Sequence, residues 1–313
     1  MKRVRVGIIG AGWMAGTYHL PILAEIKEAE ITAISEIDIK KLHQMAGKYK
    51  IKNIFTDHKK MLKEAELDAV YVTTRPDAIK KIVIDCFNAK KAVFLEKPPG
   101  INLKECREML RSAEKNKCLS MVGFNRRYSP IILKAREILE NNGGVNHILG
   151  EFHKNLLSKG EYYGISVLIS DIIHVLDIIS WVGGKSKKVM SFSNKISADW
   201  KNSFNALIKF ENGITGNLSS NFISGARYER FELHGKEIMV EIMPPDYLKI
   251  YKGEKAELIK AEDLTGTKEQ RINYGFFAEN KTFIECVLKK KEPAHTLKAA
   301  LLTMELIKKI AQN

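Results

Sequence analysis

The sequence predicts two folded parts: a parallel, doubly wound α/β Rossmann domain over residues 1–123, and an α+β domain over 124–313 built on a large, mostly antiparallel sheet. Three observations predict this. The first half alternates short, nearly continuous apolar runs with longer helical patterns, as buried parallel strands and their crossover helices do. A glycine-rich turn follows the first run directly. From about 187 to 251, strand patterns then succeed one another with no helix between them.

Val4–Ile9, Ile31–Ser35, Ala69–Thr73, Ala92–Leu95 and Leu119–Gly123 read as strands. Helical segments are expected near 14–26, 39–49, 57–65, 77–89 and 102–117, the last opened by Asn102 and Glu105 as a capping box. Short links between strand and helix imply right-handed crossovers. After Phe124-Asn125-Arg126-Arg127-Tyr128 a helix is expected over about 130–141, ended by Asn141-Asn142-Gly143-Gly144. A strand follows near 147–155. The apolar stretch at 165–182 is too long for a strand, so it reads as one helix. At about 100° per residue it carries Ser166, Ser170, His174, Asp177 and Ser180 along one side. Glu211-Asn212-Gly213 marks a hairpin and His234-Gly235-Lys236 a second turn. Helices near 276–290 and 296–311 close the chain. The domain boundary is a short hinge near 123–126, and the cleft between domains is the default place for a site.

Composition narrows the function classes. With 45% hydrophobic and 28% charged residues among 313, the chain is expected to be globular, not disordered or fibrous. No uninterrupted apolar run reaches membrane length and the N-terminal run ends in glycines, so neither a membrane span nor a signal peptide is expected. Four cysteines, Cys86, Cys106, Cys118 and Cys286, form no C-x-x-C pair and suggest reduced thiols in a cytoplasmic protein. The net charge of +14 favours anionic ligands, but the basic residues are scattered and no nucleic-acid motif is present, so no nucleic-acid partner is expected. No His/Cys/Asp cluster has ligand spacing, so no metal is expected.

Gly10-Ala11-Gly12-Trp13-Met14-Ala15 is a G-x-G-x-x-A turn between a strand and a helix. Gly10 suits the tight turn, Gly12 lets the backbone approach a pyrophosphate, and Ala15 allows close helix–strand packing. Free N–H groups at the helix start face the anion. Glu36 ends the second strand at the spacing of a carboxylate that accepts from ribose hydroxyls, favouring NAD over NADP. Lys97 stands at the carboxyl end of a parallel strand, after Glu96 and before Pro98, where it would orient a substrate oxygen and stabilise developing alkoxide charge. His174 has two readings: a core histidine satisfied by Asp171 or Asp177, or a proton-exchanging base.

Together, the Gly7–Gly12 turn with Ala15 and His19, Val93-Phe94-Leu95-Glu96-Lys97-Pro98, Gly123-Phe124-Asn125-Arg126-Arg127-Tyr128, His174-Val175-Leu176-Asp177 with Trp181 and Gly183, and Phe210-Glu211-Asn212-Gly213 resemble the Gfo/Idh/MocA oxidoreductases along essentially the whole chain. The resemblance implies a Rossmann domain joined to an open-faced sheet domain. It implies NAD(P)-dependent hydride transfer on a sugar-like or cyclitol alcohol, and homodimers or homotetramers formed through the sheet face. It also implies that the lysine of E-K-P lies near the nicotinamide and that the histidine accepts the proton. The sequence departs from the family where a frequent Asp four residues before the histidine is Ser170, a frequent histidine is Ile79, and a usual T-P-N is Thr74-Arg75-Pro76.

The expected catalytic set is therefore Lys97, His174 and Asp171. The expected cofactor set is Gly10, Gly12, Trp13, Met14, Ala15, Glu36, Thr73, Thr74, Arg75, Glu96 and Lys97. Lys97, Asn125, Arg126, Tyr163 and His174 are expected at the substrate, a small polyol or sugar. The alternatives are a non-catalytic dinucleotide sensor, motivated by Ser170 and Ile79, and a reductase of a non-sugar acceptor such as an imine.

Overall fold

The computed structural model describes residues 3–312. They divide into two compact units. The first holds the residues up to Phe124 with Phe276–Leu301, and the second holds Asn125–Gly275 with the residues from Leu302 on.

The first unit runs β1 (Val4–Ile9), α1 (Leu20–Glu25), β2 (Ala29–Ser35), α2 (Ile39–Tyr49), β3 (Asn53–Phe55), α3 (His58–Glu64), β4 (Ala69–Val72), α4 (Pro76–Asn88), β5 (Ala92–Leu95), α5 (Leu103–Asn116) and β6 (Ser120–Val122). The six strands form one sheet in the order β3-β2-β1-β4-β5-β6, parallel throughout. The expected doubly wound Rossmann domain is present, with its topological switch between β1 and β4. All four residues of β4 are buried, because helices cover both faces. Asp38, Asp57 and Asn102 cap α2, α3 and α5 through their side chains. The short edge strand β3 was not among the expected strands.

The second unit contains α6 (Pro130–Glu140), β7 (His147–Asn155), α7 (Val167–Ser170), α8 (Ile173–Gly183), β8 (Ser186–Asn194), β9 (Ser203–Phe210), β10 (Thr215–Asn221), β11 (Ile223–Gly235), β12 (Ile238–Met243), β13 (Tyr247–Lys252), β14 (Lys255–Lys260), α9 (Ala261–Thr265) and α10 (Gln270–Asn273). Helices α11 (Phe276–Lys289) and α12 (Leu297–Ala311) end the chain. The eight strands are ordered β14-β13-β12-β11-β7-β10-β9-β8, antiparallel except for the β7–β10 pair. Alternate residues of β7 pack under α8, so closely that a Cβ on Gly150 would fall 2.5 Å from Val175. The opposite face is open, with Met190, Phe192 and Leu207 exposed on β8 and β9.

One expectation is corrected. The stretch 165–182 is not one helix: it breaks at Asp171, whose φ of −127° is not helical. The Asp171 carboxylate is held by the ammonium of Lys154 on β7 and by the hydroxyl of Ser170 at 2.9 Å. Side-chain bonds of this kind compete with helix continuation. The polar strip that assumed one unbroken helix is therefore split, with Ser166 capping α7 by accepting from Leu168 N–H at 3.3 Å. Among the described residues, no helix is long and apolar enough to cross a membrane, and no group of His, Cys, Asp and Glu side chains forms a metal cage.

Candidate active site

The glycine turn leaves β1 at Gly10, whose φ of +95° is open to glycine at no steric cost. A Cβ there would lie 2.9 Å from the Thr73 carbonyl oxygen, and Thr73 Oγ1 ties the turn down by donating to the Gly10 carbonyl at 2.7 Å. At Gly12 a Cβ would meet nothing within 4 Å, so the backbone borders open space, as the approach of a diphosphate requires. Trp13 and Met14 follow in the first helical turn, where N–H groups have no preceding carbonyl to donate to. Trp13 is exposed and edge-on to Tyr18, whereas Ala15 is fully buried. The segment expected as one helix begins as a wide π turn over Ala15–His19 before α1 continues it.

Glu36 is fixed beside this turn. Its Oε2 accepts from Ala11 N–H at 2.7 Å and its Oε1 from Asp38 N–H at 3.1 Å. Its negative charge suits a ribose diol and opposes a 2′-phosphate. Lys41 lies against Asp38 at 3.5 Å, and Asp38 has its pKa lowered by the Lys41 backbone N–H and ammonium. The donor set at the turn and the carboxylate together fit NAD. Nearby, Thr74 Oγ1 is buried with no hydrogen bond among the described residues, and Arg75 is exposed and donates to Asp77 at 2.9 Å.

Lys97 follows β5, and the residue before it is anchored in the core. Glu96 is 5% exposed; its Oε1 lies 2.7 Å from His19 Nε2, and its Oε2 accepts from Lys97 N–H at 3.1 Å. The other His19 nitrogen lies 3.1 Å from Asn280 Oδ1 on α11. The Asn280 amide in turn donates to the Phe276 carbonyl, and Phe276 stacks on Tyr18 with centroids 3.9 Å apart. The sequence showed His19 only as a motif position; its role is to brace Glu96, and through it the backbone that presents Lys97.

In the second unit, His174 stands in the first turn of α8, 8% exposed. Its N–H donates to the Asp171 carbonyl at 3.3 Å. Asp177 does not serve His174. It is fully buried and receives the Arg127 guanidinium fork at 2.6 and 2.7 Å and the Thr303 hydroxyl at 3.0 Å. Burial raises the Asp177 pKa, against the pull of Arg127 and Thr303. Asn125 donates to the Tyr274 carbonyl at 2.8 Å and accepts from Arg126 Nη1 at 3.0 Å. Arg126 forks onto Glu229 with two bonds of 3.1 Å. The structure therefore places both residues in internal bonds. Tyr163 is half exposed, at a φ of +53°, with its ring against Tyr162.

Lys154, Arg227 and Glu229 were missed in the sequence because charged residues on strands carry no motif. Burial works against ionisation of Glu229, but Arg126 and Arg227 outweigh it and hold its pKa below the usual range. A depressed carboxylate pKa contributes stability that is present above the unfolded value, about 4.3, and lost as pH falls through the folded one. Urea unfolding titrated from pH 6 to pH 3 is expected to show stability falling on the acid side. The fall should be shallower in Glu229→Gln; an equally steep fall in the variant would remove this residue from the acid response.

Residues 4–124 match a family model described as an oxidoreductase family with an NAD-binding Rossmann fold, and residues 132–241 match the C-terminal domain model of the same GFO/IDH/MocA family. An uncharacterized oxidoreductase of Bacillus subtilis is 32% identical over 149 residues, 47% of this chain and 43% of that protein. The myo-inositol 2-dehydrogenase of Thermotoga maritima is 24% identical over 310 residues, 93% of this chain and 90% of that protein. Among solved structures, a dehydrogenase from Chromobacterium violaceum superposes with a TM-score of 0.91 at 19% identity, covering 100% of this chain and 95% of that one.

Proposed function

The chain belongs to the GFO/IDH/MocA oxidoreductase family, and from that premise we propose that it transfers hydride between NAD and an alcohol carbon of a sugar-like or cyclitol substrate. The observation that carries the reading is Lys97: a cation at the carboxyl end of β5, presented by a backbone that Glu96 and His19 brace. NAD supplies the hydride acceptor. Gly10, Gly12 and the first-turn N–H groups would hold its diphosphate and Glu36 would take its ribose hydroxyls; Trp13, Met14, Thr74 and Arg75 would complete that surface, with buried Ala15 packing the helix start and Thr73 tying down the turn. Lys97 orients the reacting oxygen and stabilises negative charge on it. His174 exchanges the hydroxyl proton, with Asp171 supporting it from one turn before. The near full-length likeness to a protein named myo-inositol 2-dehydrogenase supports a polyol substrate.

Two further parts of the reading concern setting and assembly. All four cysteines are free thiols, which fits a cytoplasmic protein. The exposed Met190, Phe192 and Leu207 on the open sheet face fit a homodimer or homotetramer paired through that face.

The test is an assay for formation of the reduced cofactor, NADH or NADPH, with a panel of cyclitols, aldoses and their acids, run with NAD and with NADP. Turnover with NAD is expected, at about 100-fold higher kcat/KM than with NADP, because the fixed Glu36 charge faces any 2′-phosphate. Glu36→Ala should shrink that ratio. NADH binding without turnover on any ring alcohol would assign the chain to a non-catalytic role.

A further inference from the structure

We propose that the substrate carries an anionic substituent, a carboxylate or a phosphate, and that Arg227 and Lys154 hold it. This rests on the dehydrogenase reading above and names the class of alcohol it takes.

The argument starts from charge around one ring. Lys154 Nζ lies 4.9 Å from the centroid of Phe152, and the Arg227 guanidinium carbon lies 5.6 Å from the same centroid. Arg227 and Arg126 also flank the Tyr274 ring, at 5.5 and 4.8 Å. Three cations therefore gather on this aromatic floor. Two carboxylates answer them: Glu229, shared by Arg126 and Arg227, and Asp171, paired with Lys154. Among the described groups of this cluster one positive charge is in excess.

Donor accounting locates the excess. The Arg126 side chain is 8% exposed and its Nε, Nη1 and Nη2 all donate internally. The Arg227 side chain is 45% exposed, and its hydrogen bonds to Glu229 at 2.7 Å and to the Tyr274 hydroxyl leave three of its five N–H donors for a ligand. Two aromatic faces hold the guanidinium, so little rotamer freedom remains to be lost when an anion binds. Lys154 gives one N–H to Asp171 and has two more.

The cluster also borders the proposed base, since Asp171, the partner of Lys154, accepts the backbone N–H of His174 at 3.3 Å. A neutral polyol gives an excess guanidinium nothing to compensate its desolvation. A carboxylate or phosphate matches the fork and converts that cost into charge-assisted hydrogen bonds. The chain's net charge of +14 steers the same class of ligand.

Calorimetric titration of the NADH-loaded protein tests this with three rings that differ at one carbon: glucose, glucuronate and glucose 6-phosphate. At least one charged sugar is expected to bind about 30-fold more tightly than glucose. The carboxylate and phosphate arms decide which anion the site takes. Arg227→Gln should bring the charged sugar within a few-fold of glucose, and Arg227→Lys should restore part of the difference, with circular dichroism confirming the fold of both. Charged sugars binding no better than glucose, or equally well to Arg227→Gln, would overturn the proposal even if neutral polyols are oxidised. Charged binding lost in Arg227→Gln but without NADH chemistry would instead uphold the anion site and defeat the dehydrogenase reading.

Discussion

Replacing Lys97 with methionine is expected to lower kcat by about 100- to 1,000-fold while leaving the affinity for NADH within about 3-fold. Methionine keeps an unbranched apolar stem and removes only the ammonium. The backbone at this position does not depend on the side chain, because Lys97 donates its N–H to Glu96, and Glu96 is fixed by His19. The variant thus isolates the charge. A group that stabilises an alkoxide acts in the transition state more than in the ground state, so the loss should fall on kcat and kcat/KM together. A primary isotope effect with deuterated substrate should rise or persist, since hydride transfer becomes the slow step. Unchanged turnover would take Lys97 out of the chemistry and leave the family motif a structural brace.

How much of this was legible in the sequence depended on how local its cause was. The first unit read well because buried parallel strands such as Ala69–Val72 are apolar on both faces and stand out as continuous runs. Asn53–Phe55 did not, since three partly exposed residues at a sheet edge carry no such signal. The break at Asp171 was invisible because its cause, Lys154, lies 17 residues away and arrives by β7. Likewise Glu229 meets Arg126 across 103 residues, and His19 meets Asn280 across 261. Periodicity registers what one element does to itself; pairings made by sheet register and by a returning helix belong to the folded chain. The glycine turn, Glu36 and Lys97 were legible because each belongs to a motif of fixed spacing at the end of a strand, even though Glu36 meets Ala11 across 25 residues.

Arg127 illustrates the same limit with a large consequence. In sequence it only follows Asn125 and Arg126, two residues expected at the substrate, into the hinge. In the structure it is 4% exposed, forks onto the fully buried Asp177, and lies with Arg136 against the Trp181 ring. Its role is to hold α8, and with it His174, to the turn after β6. Arg127→Leu leaves Asp177 buried with only the Thr303 hydroxyl, and breaking a buried pair from one side costs about 3–5 kcal/mol. Urea unfolding should show the midpoint falling accordingly with little change in slope. Removing the other partner as well relieves the stranded charge, so Arg127→Leu with Asp177→Leu is expected to be more stable than Arg127→Leu alone. A single variant within about 0.5 kcal/mol of the parent would mean that the Asp177 carboxyl reaches water or takes a proton when Arg127 is gone. In that case the ion pair would not be what fixes the helix bearing His174.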